Sequence, residues 1–278
     1  MRKTLVALSV LAATALPAVV SAADYSDDIH KNDYKWLQFN IMQSVDNKIP
    51  FGNQDDTYFE MEFGGRSGVV DLYGYLDVFD IFNSSSSDRH KAKGGDFEDN
   101  FFLKFAPRFS LDGMTGQDLS FGPVQELYIS TVTNVGDNAL FDHYIGLGSD
   151  VMVPWLGKIG LNTYARYVRE NFNADNEGKW DGFMVSTNWF KPFVNFDNGS
   201  FIAYQGYLDY KFGADEISDQ AGRSDTSLEW FNGFYWHSDQ WAVGYGLKVY
   251  EDMALLEDGG FAGETSGIGH YFDVTYKF

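Results

Sequence analysis

The last segment of the chain, residues 267–278, alternates between two kinds of side chain up to the final residue. One phase is mostly apolar or aromatic and the other is mostly polar: the first holds Ile268, His270, Phe272, Val274, Tyr276 and Phe278, and the second holds Tyr271, Asp273, Thr275 and Lys277. Alternation over about ten residues is typical of a strand that has lipid on one face and water on the other. The terminal aromatic residue is typical of bacterial outer-membrane barrels, and Phe278 is the predicted signal for the barrel-assembly machinery. We therefore predict an all-β transmembrane barrel.

The beginning of the chain agrees with export. Arg2 and Lys3 precede an apolar run, residues 5–20, and Ser21-Ala22-Ala23 offers the small residues of a cleavage site. The apolar run is shorter than the roughly 20 residues that a membrane-spanning helix needs. We predict that residues 1–23 are a removed signal peptide, with cleavage after Ala22 as the alternative, and that residues 24–278 form one barrel domain.

Composition excludes several classes of protein. The chain has 20 basic and 40 acidic residues, and without Arg2 and Lys3 there are 18 against 40, a net charge of −22. Nucleic-acid binding needs a basic surface, so we predict none. The absence of cysteine excludes disulfides and thiolate metal sites. We predict neither a metal nor a cofactor.

Segments of period two, separated by turn residues, predict twelve antiparallel strands. The predicted strands are 36–44, 57–64, 69–82, 101–110, 119–133, 143–153, 159–171, 180–191, 200–212, 226–237, 241–251 and 267–278. An even number of strands is what a single-chain bacterial barrel requires. Long polar connections alternate with short ones, which predicts external loops, periplasmic turns and both termini in the periplasm. The segment 83–100, with its serine run, is predicted to be the most mobile loop.

Inward-facing phases carry carboxylates, tyrosines and bases. Acids and bases fall on neighbouring strands, so we expect Lys104 and Arg108 to pair with acids along the barrel wall. Tyrosines between acids suit a solute with a flat face and polar edges, such as a nucleobase on a sugar, and several weak sites let a solute enter and leave. Twelve strands predict a narrow, solute-sized lumen. The alternative is that these side chains only solvate the lumen and pair with one another.

An enzyme on a barrel would need a histidine beside a serine or an acid. The adjacent pair His237 and Ser238 lies at a turn, and neighbouring strand residues point in opposite directions. His270 falls on the predicted outer face. We therefore predict no catalytic site.

Several motifs, in order along the chain, resemble the Tsx-like nucleoside-specific channel-forming proteins. They are Asp56-Thr-Tyr-Phe-Glu-Met-Glu62, Asp71-Leu-Tyr-Gly-Tyr-Leu-Asp77, Pro107-Arg-Phe-Ser-Leu-Asp112, Asp118-Leu-Ser-Phe-Gly-Pro123, Gly146-Leu-Gly-Ser-Asp150 and Trp180-Asp-Gly182. Lys31-Asn-Asp-Tyr-Lys35 and Ser186-Thr-Asn-Trp-Phe-Lys-Pro192 are most similar to the OmpK branch of that family. The resemblance implies a monomeric twelve-stranded barrel in the outer membrane, nucleoside uptake in the Tsx branch, and external loops that serve as bacteriophage receptors.

Inward residues inside the shared motifs are the predicted solute contacts. They are Tyr58, Glu60, Glu62, Tyr73, Tyr75, Asp77 and Arg108. We expect outer-membrane lipid and lipopolysaccharide around the barrel, and a moderate preference for cations or neutral solutes over anions from the inward acids, Asp71 among them. The rival hypothesis is a structural or receptor barrel with a blocked lumen.

Overall fold

The computed structural model describes residues 23–50, 54–82, 101–137, 139–217 and 222–278. The predicted signal peptide lies outside these residues except for Ala23, and the loop 83–100 lies outside them entirely. Within the described ranges, no helix is long and apolar enough to cross a membrane.

The described residues form twelve strands in one closed antiparallel barrel, which confirms the predicted fold. Each strand pairs with its neighbour in the chain, and the last pairs with the first. The strands are β1 (Tyr34–Asn47), β2 (Gln54–Ser67), β3 (Val70–Val78), β4 (Phe101–Ser110), β5 (Val124–Gly136), β6 (Leu140–Val153), β7 (Gly157–Asn171), β8 (Lys179–Asn195), β9 (Phe201–Phe212), β10 (Thr226–His237), β11 (Trp241–Glu251) and β12 (Gly267–Lys277).

The barrel closes where β12 pairs with β1, from Gln38 opposite Lys277 to Val45 opposite His270. The last residue takes part: the Phe278 amide donates to the Leu37 carbonyl at 3.0 Å. The Phe278 ring also packs edge-on against Phe39, with 4.8 Å between the ring centroids. Closure leaves no strand edge with unpaired backbone groups, which the hydrocarbon interior of a membrane requires.

The start of β1 and the end of β12 lie at one end of the barrel, which we call the terminus end, and the opposite end is the loop end. The terminus end holds the connections 68–69, 111–123, 154–156, 196–200 and 238–240. The loop end holds the described parts of the other connections: 48–50, 79–82, 137, 139, 172–178, 213–217, 222–225 and 252–266, the last including a 3-10 helix, Met253–Leu255. Two predicted lengths are wrong. The connection 137–139 is short, because β5 and β6 extend further than predicted, and 111–123 is long.

The long connection at the terminus end contains a short helix, α1 (Leu111–Thr115), that the strand pattern did not reveal. The Ser110 hydroxyl caps it by accepting from the Gly113 amide at 3.0 Å. The Asp112 carboxylate accepts from the Leu119 amide at 2.9 Å and the Leu127 amide at 3.1 Å. These bonds hold the segment 119–123 as a loop, so β5 begins at Val124 and not at the predicted residue 119.

The period of two separates a lipid-facing surface from the lumen. Exposed apolar side chains outside the lumen form a belt around the barrel: Ile41, Val45, Phe105, Ile145, Leu147, Leu161, Phe183, Val243, Leu247, Ile268, Phe272 and Val274. In β12, the apolar phase faces outward, whereas Tyr271, Asp273, Thr275 and Lys277 line the lumen. This is the division that the alternation predicts.

Gly146 in β6 marks a close approach between strands. A Cβ atom built there would lie 1.9 Å from the Thr163 carbonyl oxygen of β7, which is too close for any contact between non-bonded atoms. Glycine is used in strands where another backbone comes this near.

We expect Gly146→Ala to reduce the yield of folded barrel strongly, because the β6–β7 backbone must shift to admit the methyl group. Heat-modifiable migration in gel electrophoresis measures the folded fraction. Gly136→Ala is the matched control, since its Cβ would meet only the flexible Leu140 side chain, at 3.1 Å. Equal folded fractions for the two variants would contradict the prediction.

Candidate functional site

The lumen is one cavity of about 2590 Å³. It is lined from Tyr34 and Phe196 at the terminus end to Asn171 and Leu256 at the loop end. All seven predicted contact residues line it: Tyr58, Glu60, Glu62, Tyr73, Tyr75, Asp77 and Arg108. Their position in the lumen therefore follows from the strand phase, while their role as solute contacts stays a prediction.

Near the terminus end, Arg108 is held by two carboxylates. It forms an ion pair with Asp71, its partner on the neighbouring strand, and its Nη1 lies 3.0 Å from an Asp150 oxygen. Lys158 Nζ lies 2.8 Å from the other Asp150 oxygen, and the guanidinium of Arg108 lies 4.1 Å from the centre of the Tyr128 ring. The expected pairing along the wall is right for Arg108. Its charge is thereby compensated.

The N-terminal segment packs onto the same end. The Tyr25 hydroxyl donates to Glu126 Oε1 at 2.7 Å, and Arg66 Nη2 lies 3.0 Å from the other oxygen of Glu126. Burial, together with the hydrogen bond to Glu126, raises the pKa of Tyr25 to about 12. Nearby, the amide of Gly68 donates to Asp33 at 2.8 Å and lowers the pKa of that carboxyl. Tyr25 thus remains a protonated donor, and Asp33 an ionised acceptor, at neutral pH.

An ion pair crosses the lumen between strands that are not neighbours. Lys104 of β4 places its Nζ 3.1 Å from Asp209 Oδ2 of β9, and β5 to β8 separate the two strands on one side of the barrel. The expectation that Lys104 pairs along the wall is therefore wrong, because the curvature of the closed barrel brings β9 to face β4. Lys104 Nζ lies 5.9 Å from the ring centres of both Tyr75 and Tyr207. We call this pair the crossbar.

Lys248 and Glu229, which were not among the predicted site residues, lie beside the crossbar. Lys248 Nζ is 2.8 Å from Glu229 Oε2 and 5.6 Å from the centre of the Tyr207 ring. The Tyr207 ring in turn stacks on Phe231 at 5.9 Å. Glu229 and Phe231 lie on the inward face of β10, and Lys248 lies on the inward face of β11. The alternation of polar and apolar residues in these two strands could therefore have identified them from the sequence.

Two buried clusters narrow the lumen on either side of the crossbar. One comprises Val132, Tyr144, Tyr164 and Met184, and the other comprises Met42, Tyr58 and Tyr271 with Phe79 and Phe231 packed against them. The lumen is therefore partly filled by side chains, and solutes meet aromatic surfaces as well as charges.

The wall made by β12, β1 and β2 carries carboxylates of a different kind. We call this group the acid wall; it comprises Glu60, Glu62 and Asp273. None of the three forms an ion pair with a base among the described residues. Neutral groups donate to them instead: Asn40 to Glu60 at 2.5 Å, Gln38 to Glu62, Tyr73 to Glu62 at 2.8 Å, and Thr275 to Asp273 at 2.9 Å. Asp77 stands opposite Glu60 in the register of β2 and β3. Carboxyl groups without a basic partner are thus concentrated on one side of the lumen.

The histidine–serine pair at the β10–β11 turn does not form a catalytic arrangement. The His237 ring lines the cavity, stacks on Phe201 at 4.8 Å and places Nε2 3.2 Å from Gln205. The Ser238 hydroxyl is used in the turn, where it donates to the Trp241 carbonyl at 3.2 Å. His270 faces outward and bonds Tyr245 at 2.8 Å.

Comparison with known proteins agrees with a channel. Residues 31–278 match the family described as the nucleoside-specific channel-forming protein Tsx. The chain belongs to this family. It is 54% identical to outer membrane protein OmpK of Vibrio parahaemolyticus and 28% identical to Tsx of Salmonella typhimurium, in both cases over the full length of both chains. The predicted family is thereby confirmed.

A solved structure shares the fold. The NanC porin superposes with a TM-score of 0.50 at 8% identity, covering 87% of this chain and 100% of the porin. Together with the named outer-membrane relatives, the barrel places this family member in the outer membrane as a channel-forming protein, and the family is not a family of enzymes.

We expect the double variant Glu60→Gln, Glu62→Gln to weaken cation preference, because two carboxyl groups without a basic partner leave the acid wall. Asp71 is paired with Arg108, so we expect it to contribute less than Glu60 and Glu62. The measurement is the reversal potential under a salt gradient, with Asp197→Asn in the exposed turn 196–200 as the control for charge alone. An unchanged reversal potential in the double variant would contradict the prediction.

Removing the crossbar with Lys104→Ser and Asp209→Ser together is expected to raise single-channel conductance, because two side chains leave the centre of the lumen. Single-channel recordings in planar bilayers measure the change. Replacing Arg169 and Glu170, an exposed pair with 3.7 Å between charged atoms, by serine is the control. A conductance equal to that of the control variant would show that the narrowest passage lies elsewhere.

Proposed function

We propose that this protein is a passive outer-membrane channel for small polar solutes, with nucleosides as its principal substrates. The observation that carries the proposal is the crossbar between the Tyr75 and Tyr207 rings in the lumen of a member of this family. Aromatic faces and fixed charges lie side by side there. A nucleoside presents the matching surfaces, a flat base with hydrogen-bonding edges and a hydroxylated sugar.

Weak binding suits this role. Stacking of a base on an aromatic side chain is worth roughly 1–3 kcal/mol, so a single ring holds a solute only briefly. Rings occur at several places in the lumen, from Tyr73 near the acid wall through Tyr207 beside the crossbar to Tyr235. A series of weak sites allows a solute to enter, move between sites and leave, which passive transport requires.

We further propose how the barrel is oriented in the membrane and which partners it has. The terminus end faces the periplasm and the loop end faces outward among lipopolysaccharide, as in barrels of this kind. Residues 1–23 are removed on export, and the barrel-assembly machinery recognises the chain through Phe278, whose amide and ring are both used in closing the barrel. The closed barrel acts as a monomer, and its external loops serve as a bacteriophage receptor.

The second candidate function is a receptor or structural barrel with a blocked lumen. Two buried side-chain clusters beside the crossbar favour it, because they occupy part of the cavity. Liposome swelling separates the candidates. Swelling with nucleosides faster than with sugars of equal size supports the specific channel, size-dependent swelling supports a general pore, and no swelling supports the blocked barrel.

Planar-bilayer recordings test the specific channel directly. We expect added uridine or adenosine at millimolar concentration to reduce the ionic current, because a bound nucleoside occupies the lumen. Tyr75→Leu and Tyr207→Leu together should weaken this block by about tenfold, the loss of roughly 1.4 kcal/mol of stacking. Tyr245→Leu on the lipid-facing surface is the matched control. A current indifferent to nucleosides would refute the proposal.

A further inference from the structure

Two acceptor atoms, one in the acid wall and one beside it, have no hydrogen-bond donor within the described chain. They are Asn40 Oδ1 and Asp273 Oδ1. Both residues line the lumen although their exposed fractions are only 2% and 5%. Leaving a buried acceptor unsatisfied costs on the order of 1–3 kcal/mol, and more for a charged group. Such atoms call for a donor that comes from outside the protein.

The register places these atoms in one patch. Asn40 stands directly opposite Glu60 on β2 and Thr275 on β12, and Asp273 is diagonal to Asn40. Diagonal neighbours on one face of a sheet are within reach of a common ligand. The amide nitrogen of Asn40 donates to Glu60, so its side-chain carbonyl oxygen, which is buried in the barrel wall, is the atom without a partner. The open hydrogen-bonding capacity of the patch therefore consists of oxygen acceptors beside carboxyl groups that have no basic partner.

The complementary ligand is a cation that is rich in N–H donors. A primary ammonium group has three donors and no acceptor, so it can bond Asn40 Oδ1, Asp273 Oδ1 and the Glu60 carboxylate at once. It would also supply positive charge that the lumen bases do not bring to the patch. Lys248 and Lys104 are paired with Glu229 and Asp209, and Lys277 of β12 donates to the Ser238 carbonyl at 2.5 Å.

Aromatic rings beside the patch favour an organic cation over a metal ion. The Tyr235 ring lies against Gly244, the residue that separates Tyr235 from Asp273 in the sheet: a Cβ built on Gly244 would be 2.1 Å from that ring. Cations are attracted to the faces of such rings. Calcium would instead require six to eight oxygen ligands, and both Glu62 oxygens already accept hydrogen bonds from Tyr73 and Gln38.

We propose that the acid wall and Asn40 form a binding site for the protonated primary amino group of a small organic solute. The site gives the channel a second class of ligand, amino sugars and similar amines, beside the neutral nucleosides. This inference uses the same lumen as the proposed function and rests on that lumen being open to solutes.

The test is equilibrium binding to the purified full-length barrel by calorimetry. The probes are glucosamine hydrochloride, which carries the ammonium group, and N-acetylglucosamine, which does not, with potassium chloride added to equal ionic strength. We expect glucosamine to bind and N-acetylglucosamine not to bind. Glu60→Gln and Asp273→Asn should each weaken glucosamine binding about tenfold or more, since a hydrogen bond to a charged group is worth about 1.5–3 kcal/mol.

Asp197→Asn is the matched control, because it removes one carboxylate charge at the exposed turn 196–200 and should leave glucosamine binding unchanged. Heat-modifiable migration in gel electrophoresis verifies that each variant is folded. If only one of the two lumen variants folds, that variant alone is enough to test the proposal. Equal binding of the two sugars, binding of neither, or undiminished binding to a folded lumen variant would overturn the proposal. Displacement of glucosamine by an equal concentration of calcium chloride would also overturn it, because the site would then be a general cation site.

The current block by uridine, recorded on the same preparation, separates this inference from the proposed function. A nucleoside block without glucosamine binding refutes the amine site and leaves the nucleoside channel standing. Glucosamine binding without a nucleoside block supports the amine site and refutes nucleoside specificity.

Discussion

The backbone of this protein has to satisfy its own hydrogen bonds, because the hydrocarbon interior of a membrane offers no water to do so. Pairing of β12 with β1 meets that requirement by removing both edges of the sheet. Phe278 belongs to this closure through its amide and its ring. Once the sheet is closed, every strand has one face in lipid and one in the lumen, so each residue's environment is set by its phase.

Closure also confines many polar side chains to a small space. Charged groups in the lumen are partly desolvated, and an unpaired charge there costs free energy. Basic and acidic side chains therefore form ion pairs across the cavity. The crossbar of Lys104 and Asp209 arises in this way between strands that share no hydrogen bond. Such a pair narrows the passage and at the same time holds Tyr75 and Tyr207 beside a fixed charge.

Ion pairs are distributed unevenly around the barrel, and this uneven distribution makes the two sides of the lumen chemically different. Bases such as Lys248 are compensated by acids, whereas Glu60, Glu62 and Asp273 are supported only by neutral donors. The lumen therefore presents carboxyl groups without basic partners on one side, and paired charges with aromatic rings on the other. The selection that we propose, by flat faces, donor edges and positive charge, rests on this asymmetry.

Alternation along the chain by itself determined the fold class, the number of strands, and which side chains face the lumen, because a strand's period of two is a local property. It also predicted correctly that Tyr58 and Glu62 line the lumen. The tertiary structure alone decided α1, whose cap depends on Ser110, and the partner of Lys104. It also left Asn40 Oδ1 without a donor. Contacts across a barrel depend on its closure and curvature, which no local pattern encodes.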